Sequence, residues 1–340
     1  MAAPHPMKKI RRARLRRALI VAALLVAVVL VASIVTVGRM TVSALEAAAA
    51  IAPAVGTRVL VSDTSKASSA STAAGNASAK AAAEWLAQQP TTVWLTPETD
   101  PVDAVQDRVS RLIEETRDQN ATLSLAVYGL PDRDCGNFSA GGLDPDAYGE
   151  WTERIGRALD EAPALRKIIV LEPDSIALAS SCGSIDERMA HLRTAVDNLA
   201  GPDTWIYIDG GHSAWHPVDE MADLLRTSGL LPMVRGVALN VSNYQDTAAE
   251  FAYAHALSDR LGGTHAVIDT SRNGAGPAGA QWCNPRGRSV GSAGGSYGDG
   301  VVDTNLWIKP PGESDGECNG GPSAGSWWPD AAVELTRGVF

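Results

Sequence analysis

The stretch Val127–Cys135 (VYGLPDRDC) places two aspartates directly after an apolar run that is typical of a buried strand. Leu171–Ser175 (LEPDS) and Lys309–Gly316 (KPPGESDG) repeat the pattern, with acidic residues beside proline or glycine where an apolar run ends. Parallel α/β barrels carry their chemistry at the carboxyl ends of their strands. The three stretches therefore predict such a sheet, with carboxylates gathered at one rim.

The rest of the chain alternates strand-like and helical patterns. The predicted strands are Arg58–Val61, Thr92–Leu95, Leu123–Tyr128, Lys167–Leu171, Thr204–Ile208, Val234–Leu239, Ala266–Ile268 and Asn305–Ile308. The predicted helices are Pro101–Asn120, Tyr148–Leu159, Ile185–Leu199, Val218–Leu230 and Thr247–Leu261. This alternation predicts a mostly parallel sheet covered by helices, in one domain, because no linker interrupts the 340 residues.

The charge distribution argues against a nucleic-acid partner. Residues 1–52 hold eight of the 29 Lys and Arg but only one of the 39 Asp and Glu, which leaves the remainder with 21 basic and 38 acidic groups and a net charge of −17. Phosphate binding needs a basic surface. A neutral substrate is compatible with this charge.

The amino-terminal end predicts a membrane anchor. A basic flank, residues 1–17, precedes the uncharged run Ala18–Val37, which is long enough to cross a bilayer. We expect a cytoplasmic flank, a transmembrane helix over 18–40, a short stem over 41–53 and an extracellular domain over 54–340. The alternative is a secretory signal cleaved within Ala44–Ala52. Twin arginines in the flank are a weak indication of another export route.

Four cysteines agree with export, and four cysteines allow three disulfide pairings. Zinc binding is the competing interpretation, but the sequence has no Cys-x-x-Cys and no paired histidines. We therefore expect no metal and no cofactor.

Together with two further motifs, Asp209–Trp215 (DGGHSAW) and Asn240–Tyr244 (NVSNY), these stretches resemble glycoside hydrolase family 6, the inverting cellulases. The resemblance runs in the same order from Ala54 to Phe340. Gly129 is one departure, since many members of that family carry an acidic residue or Asn there.

The resemblance implies a distorted (β/α) barrel and disulfides Cys135–Cys182 and Cys283–Cys318, each beside a catalytic loop. It also implies folded structure over Ser62–Ala77, where the Ser- and Ala-rich composition alone would permit a disordered spacer. The Gly-rich segment Gly274–Gly300 is expected to border the substrate cleft; by composition it is an ordinary long loop.

The resemblance also implies catalytic roles. Asp174 matches the general acid, Asp134 the carboxylate that raises the pKa of that acid, and Asp315 the proposed base, acting directly or through a chain of waters. Arg133 is expected to pair with another acid. Taken alone, an aspartate after a strand is more often a helix cap or turn residue. Ser175 has no Gly-x-Ser-x-Gly elbow around it, so a serine nucleophile is not supported.

The substrate-binding residues that the resemblance implies are Tyr128, Asp209, His212, Trp215, Asn243, Lys309 and Glu313, with Asn240 a weaker candidate. The chain has nine Trp against three Phe, and Trp faces can stack on sugar rings. Trp94, Trp215, Trp282 and Trp307 flank the motifs, although core packing explains any single one equally well.

We therefore expect an inverting endo-β-1,4-glucanase with a β-1,4-glucan substrate and a monomeric catalytic domain. Only 34 residues separate Cys283 from Cys318, and short loops favour an open cleft over a tunnel. The alternatives are a cellobiohydrolase and a cell-surface glucan-binding protein without catalysis. The intact Asp134, Asp174 and Asp315 argue against the binding protein.

Overall fold

The computed structural model describes residues 51–73, 75–139, 141–182 and 185–339. The predicted flank and anchor, and most of the predicted stem, lie outside these residues. Among the described residues no helix is both long and apolar enough to cross a membrane. From Ile51 onward the chain forms one compact unit.

Strands and helices alternate along the described chain. The strands are β1 Val93–Leu95, β2 Leu123–Val127, β3 Lys167–Leu171, β4 Thr204–Asp209, β5 Gly236–Leu239, β6 His265–Asp269 and β7 Val302–Leu306. The helices are α1 Lys66–Thr72, α2 Ala77–Leu86, α3 Val105–Asp118, α4 Pro145–Asp160, α5 Ile185–Leu199, α6 Val218–Ser228, α7 Thr247–Leu261 and α8 Pro329–Leu335. Local signals start and end the helices: Asp144 caps α4 with Pro145 in its first turn, and Gly229 ends α6 in the left-handed conformation.

The seven described strands form one parallel sheet in chain order, β1 to β7. Every residue of β2 and β3 is buried, as expected for a parallel sheet covered by helices. The main core packs between this sheet and its helices, and contains Trp151, Tyr148 and Leu112 among its fully buried side chains.

The sheet curls without closing into a complete barrel. Within the described residues no ladder joins β7 to β1, and a single backbone bond, from Thr92 N–H to Trp307 O at 2.9 Å, spans the gap. The expected distorted barrel is therefore a curled half-barrel. The predicted first strand over Arg58–Val61 is wrong: Val59 makes one isolated bridge, to Thr122, the residue before β2, and no ladder follows it.

The segment Ser62–Ala77 is folded, with α1 capped by Ser65, whose side chain accepts the Ser68 N–H. α1, α2 and α8 pack around a second, smaller core that includes Trp307. Trp307 is buried and its Nε1 donates to Ser292 O at 2.9 Å. It is therefore a packing residue, and the stacking role considered for it does not apply.

Both disulfides pair as the resemblance implied, Cys135 with Cys182 and Cys283 with Cys318. Their Cα atoms are 5.3 and 6.2 Å apart. Each bridge ties a loop at the carboxyl end of the sheet. No free cysteine occurs in the described part of the chain.

Candidate active site

The three catalytic candidates follow the carboxyl ends of strands: Asp134 after β2, Asp174 after β3 and Asp315 after β7. Asp134 and Asp174 have left-handed backbones, with φ of 61° and 68°. Non-glycine residues adopt this conformation at a cost that tends to be tolerated at functional sites. The rim predicted from the sequence does bring these carboxylates together.

Two adjoining cavities, of about 380 and 340 Å³, form one cleft along this rim. Four side chains line both cavities: Asp134, Asp174, Asn243 and Trp282. The first cavity also contains His212 and Trp215. The second also contains Trp94, Tyr128, Lys309, Glu313 and Asp315. Asp134 and Asp174 therefore lie where the two halves of the cleft meet.

Asp174 has a pKa well above its usual range. Burial is the largest cause, followed by the negative charges of Asp209, Asp134 and Asp315, while Lys309 acts in the opposite direction. Burial and nearby like charges both disfavour an ionised carboxylate. Asp174 is therefore suited to hold a proton and donate it.

Asp134 is half-buried, and its Oδ2 accepts the Ser139 N–H at 3.0 Å. Burial raises its pKa, and the Ser139 N–H and the charge of Arg133 limit that rise. Arg133 pairs with Glu98 at 2.8 Å, donates to Tyr128 O and lies over the Tyr128 ring. The expected pairing of Arg133 with another acid is present.

Asp315 is only 7% exposed and is held by positive and polar partners. Arg272 Nη1 lies 2.9 Å from its Oδ1, and Lys309 Nζ lies 3.8 Å from the same oxygen. Its Oδ2 accepts from Tyr244 Oη and from Asn284 N–H, each at 3.0 Å. Charge-assisted hydrogen bonds of this kind stabilise a carboxylate.

Asp209 does not face the cleft: it is 2% exposed and accepts three backbone N–H bonds. Its Oδ2 accepts from Ile176 at 3.0 Å and Ala177 at 2.7 Å, and its Oδ1 from Gly211 at 2.9 Å. Burial raises the pKa of Asp209, and these bonds work against the rise. Asp209 therefore fixes the turn that carries Asp174, a different contact from the substrate contact that we expected.

His212 and Trp215 line the first cavity side by side, with ring centroids 5.6 Å apart. Trp215 also stacks on His216, with an angle of 15° between the rings. Burial, and then the neighbouring His216, lower the pKa of His212 to about 4. His212 is therefore neutral near pH 7 and can exchange hydrogen bonds with a neutral ligand.

Tyr128, Trp94 and Lys309 form one wall of the second cavity. The Trp94 and Tyr128 rings meet edge to face at 5.2 Å, and Trp94 Nε1 donates to Ile308 O at 2.8 Å. Lys309 Nζ lies 5.5 Å from the centre of the Trp94 ring, and burial lowers its pKa. Glu313, on the same wall, pairs with Lys66 at 3.2 Å.

Asn243 and Trp282 line both halves of the cleft, and Trp282 is 45% exposed. Asn243 Nδ2 donates to Val241 O at 3.0 Å. Asn240, the weaker candidate, is buried and bonds to Asp269 O and the Gln245 N–H. It shapes the loop and does not reach the cleft.

The sequence analysis missed Arg272 and Glu172. Arg272 follows β6 as the other motifs follow their strands, so its position was an available signal. Glu172 is fully buried and accepts the Gly129 N–H at 2.9 Å and the Tyr148 hydroxyl at 3.0 Å. Burial raises the pKa of Glu172 to about 7. A Cβ on Gly129 would lie 2.8 Å from the Trp151 ring, which explains the glycine at this position.

No group of three or more His, Cys, Asp or Glu in the described residues could hold a metal ion. The arrangement offers a carboxyl with a raised pKa, a carboxylate paired with Arg272, and aromatic walls along a cleft. Such a set suits acid-assisted cleavage of an oligomer.

The model of the family described as glycosyl hydrolases family 6 matches residues 56–339. The chain belongs to this family. The chain is 41% identical over 262 residues to endoglucanase A of Cellulomonas fimi, covering 76% of this chain and 56% of that protein. It is 43% identical over 220 residues to endoglucanase A of Thermobispora bispora, covering 62% and 47%. The chain thus spans about half the length of these two family 6 relatives.

A solved family 6 structure matches nearly in full. It is the endoglucanase Cel6 from Mycobacterium tuberculosis in complex with methyl-cellobiosyl-4-deoxy-4-thio-β-D-cellobioside. The TM-score is 0.77 at 36% identity, covering 85% of this chain and 99% of that one. The resemblance stated from the motifs is therefore confirmed for the family.

Proposed function

We propose that this chain is an inverting endo-β-1,4-glucanase that hydrolyses internal bonds of cellulose or related soluble glucans. The observation that carries the proposal is the position of Asp174, a carboxyl with a raised pKa, where the two halves of the cleft meet. A glucan that fills both halves has an internal bond beside this carboxyl. The relatives reported above are named endoglucanases.

In the proposed mechanism Asp174 gives its proton to the glycosidic oxygen as the bond from that oxygen to the anomeric carbon breaks. A water attacks the anomeric carbon from the opposite face and forms the new bond. The proton lost by this water passes to Asp315. Inversion follows because water, and not an enzyme carboxylate, makes the new bond.

Asp315 acts as the base through an intervening water in this proposal. Both of its oxygens already accept from Arg272, Tyr244 or Asn284, so a direct approach by the attacking water competes with these partners. Asp134 raises the pKa of Asp174 through its charge, which supports its proposed role in keeping the acid protonated. The negative charge of Asp209 also raises the pKa of Asp174.

The proposed sugar contacts are divided between the two halves of the cleft. His212 and Trp215 bind on one side; Tyr128, Trp94, Lys309 and Glu313 bind on the other; Asn243 and Trp282 contact both. Asp209 serves the substrate indirectly in this proposal, by positioning Asp174.

A cellobiohydrolase is less favoured, because the relatives reported above are named endoglucanases. An inactive glucan-binding protein is less favoured because a binder has no need for a carboxyl with a raised pKa beside two other carboxylates. We further propose export as a monomer with residues 18–40 as a membrane anchor, or cleavage of that segment as a signal. The two disulfides support an oxidising compartment.

Product analysis tests the proposal. Fresh digests of cellohexaose should release the α-anomer at the new reducing end, observed by proton NMR before mutarotation. Initial β-product would contradict the inverting mechanism. Binding of cello-oligosaccharide without any release of reducing ends would instead support the glucan-binding protein.

A further inference from the structure

A third cavity, of about 370 Å³, adjoins the cleft at its Trp94 end. Lys66, Trp94, Thr99 and Glu313 line both this cavity and the adjacent half of the cleft. Because four side chains are shared, the two spaces form one continuous depression. The third cavity lies between the start of α1, β1 and one side of α3.

The lining of this cavity combines aromatic faces with hydrogen-bonding groups. Trp94 belongs to its shared wall, and Trp327 lies in the lining that the cleft does not share. The Trp327 ring packs closely over Gly312, where an added Cβ would lie 2.7 Å from it. Arg108 Nε lies 3.6 Å from Asp100 Oδ1, too far for a good hydrogen bond, and a hydroxyl could join both.

The charges of the cavity argue for a neutral occupant. Lys66 and Arg108 pair with Glu313 and Asp100, and the exposed Arg111 leaves the lining with one excess positive charge. A strongly anionic ligand would need a larger excess of positive charge, and a purely apolar one would remove water from these charged groups. A sugar unit satisfies both requirements, since its ring faces suit indoles and its hydroxyls suit charged groups.

We infer that a glucan chain bound in the cleft continues past Trp94 into this cavity, which provides further sugar-binding subsites at that end. This inference rests on the proposed function. The Lys66–Glu313 pair forms part of the wall where the chain crosses, and Lys66 Nζ is also held by Gly325 O at 2.5 Å. Longer oligosaccharides should therefore gain contacts that shorter ones lack.

Filling the cavity tests the inference. Ala104 lines it, is exposed, precedes α3 and makes no side-chain cap bond, so Ala104→Trp occupies the space without removing a known contact. The matched control is Ala190→Trp, at an exposed position of α5. We expect kcat/KM for cellohexaose to fall about tenfold in Ala104→Trp, a change of about 1.4 kcal/mol. The value for cellotetraose should change less than about twofold, because in this proposal four sugars occupy the two halves of the cleft without reaching the third cavity.

A second variant tests whether the effect of Ala104→Trp arises in the cavity itself and not from a change elsewhere in the protein. Trp327→Ala removes an aromatic surface from the cavity and should lower the cellohexaose to cellotetraose ratio of kcat/KM in the same direction. Thermal unfolding verifies that both variants are folded. An unchanged ratio in both folded variants overturns the inference while leaving the proposed function intact.

A binding measurement distinguishes a failure of the proposed hydrolase function from a failure of the inferred subsites. If the wild-type protein cleaves neither oligosaccharide, the proposed function fails, and the affinity for cellohexaose is then measured by calorimetry. Weaker binding of cellohexaose by Ala104→Trp than by Ala190→Trp would still support the extra subsites. Equal binding by the two variants would overturn them.

Discussion

The rings of Phe138 and Trp282 meet with their centroids 6.0 Å apart, although their loops follow β2 and β6, four strands apart in the sheet. Phe138 is 49% exposed and also covers Gly316, where an added Cβ would collide with its side chain. Trp282 precedes Cys283 and lies at the junction of the two halves of the cleft. This contact joins the loop that carries Asp134 to the loop after β6, and the Cys283–Cys318 disulfide ties that second loop to the one that carries Asp315.

The contact between Phe138 and Trp282 affects whether the cleft can admit the middle of a glucan chain. No disulfide or described hydrogen bond joins the Phe138 and Trp282 side chains, so we expect the rings to separate and admit the middle of a glucan. The viscosity of carboxymethyl-cellulose should fall steeply while few reducing ends appear. Phe138→Ala should raise the rate on this polymer several-fold and leave the rate on cellotetraose within about twofold. A nearly constant viscosity with release of mostly cellobiose would favour the cellobiohydrolase.

Replacing Asp174 by Asn should abolish the hydrolysis of unactivated glucans, because leaving-group protonation is lost. We expect kcat to fall by about 10²–10⁴-fold. Asn tolerates the left-handed backbone of this position, so folding and binding should persist. A substrate with a dinitrophenolate leaving group should be largely spared. Asp132→Asn, on the same rim, is the matched control, and near wild-type activity of Asp174→Asn on cellulose would refute the assignment of the acid.

The alkaline limb of the pH profile should report the ionisation of Asp174. Activity requires its protonated form, so kcat/KM should decline as the pH rises through its raised pKa. Asp134→Asn removes one of the negative charges that raise this pKa, so the alkaline limb should move to lower pH. Asp132→Asn should leave the limb in place. A shift to higher pH in Asp134→Asn would contradict the electrostatic role of Asp134.

The two disulfides should differ in their effect on activity. By the loop-entropy model, replacing either pair by serines costs about 4 kcal/mol of unfolding free energy, measured by urea denaturation. Asp315 bonds to Arg272 and Tyr244, neither of which belongs to the disulfide, so these bonds should remain when Cys283 and Cys318 are replaced. Asp134 has fewer such ties, so replacing Cys135 and Cys182 should reduce kcat more. The reverse order would contradict this account.

Glu250 should make the protein less stable at higher pH. It accepts the Ser213 N–H at 2.9 Å through Oε1, whereas its buried Oε2 has no hydrogen-bond partner among the described residues. Burial raises the pKa of Glu250 from 4.5 to about 7. The folded state therefore binds this proton more tightly, and stability present below pH 4.5 is lost as the pH rises through 7.

The test is Glu250→Gln, which cannot ionise. Relative to wild type, its unfolding free energy should be higher at pH 8 than at pH 5 by about 1–3 kcal/mol. Asp259→Asn, at an exposed position of the same helix, is the control. An effect independent of pH would show that the pKa of Glu250 does not differ between the folded and the unfolded protein.

The sequence predicted the sheet well because apolar runs mark buried parallel strands clearly. The bounds of β3, α5 and α7 agree with the prediction. The prediction of a strand over Arg58–Val61 was wrong because a short run of β-forming residues does not reveal whether a neighbouring strand is long enough to pair with it. The incomplete closure of the barrel depends on the geometry between β7 and β1, which no local pattern encodes.

The rim of carboxylates was predictable because strand ends are local features. The partners of each carboxylate were not, because they come from distant segments: Arg272 lies 43 residues before Asp315, and Gly129 lies 43 residues before Glu172. The sequence could not show which tryptophans line the cleft and which pack in the core, for a similar reason. Trp94 lies within β1 and Trp307 directly follows β7, yet of these two only Trp94 lines the cleft.

Asp209 performs two tasks with one carboxylate: it holds the backbone at Ile176 and Ala177, and its charge raises the pKa of Asp174. A neutral substitute at this position changes both at once. The pKa of Asp174 and the position of its side chain therefore change together when Asp209 is replaced. Over evolutionary time, adaptation to a different working pH is easier through Asp134, whose charge affects Asp174 without supporting its loop.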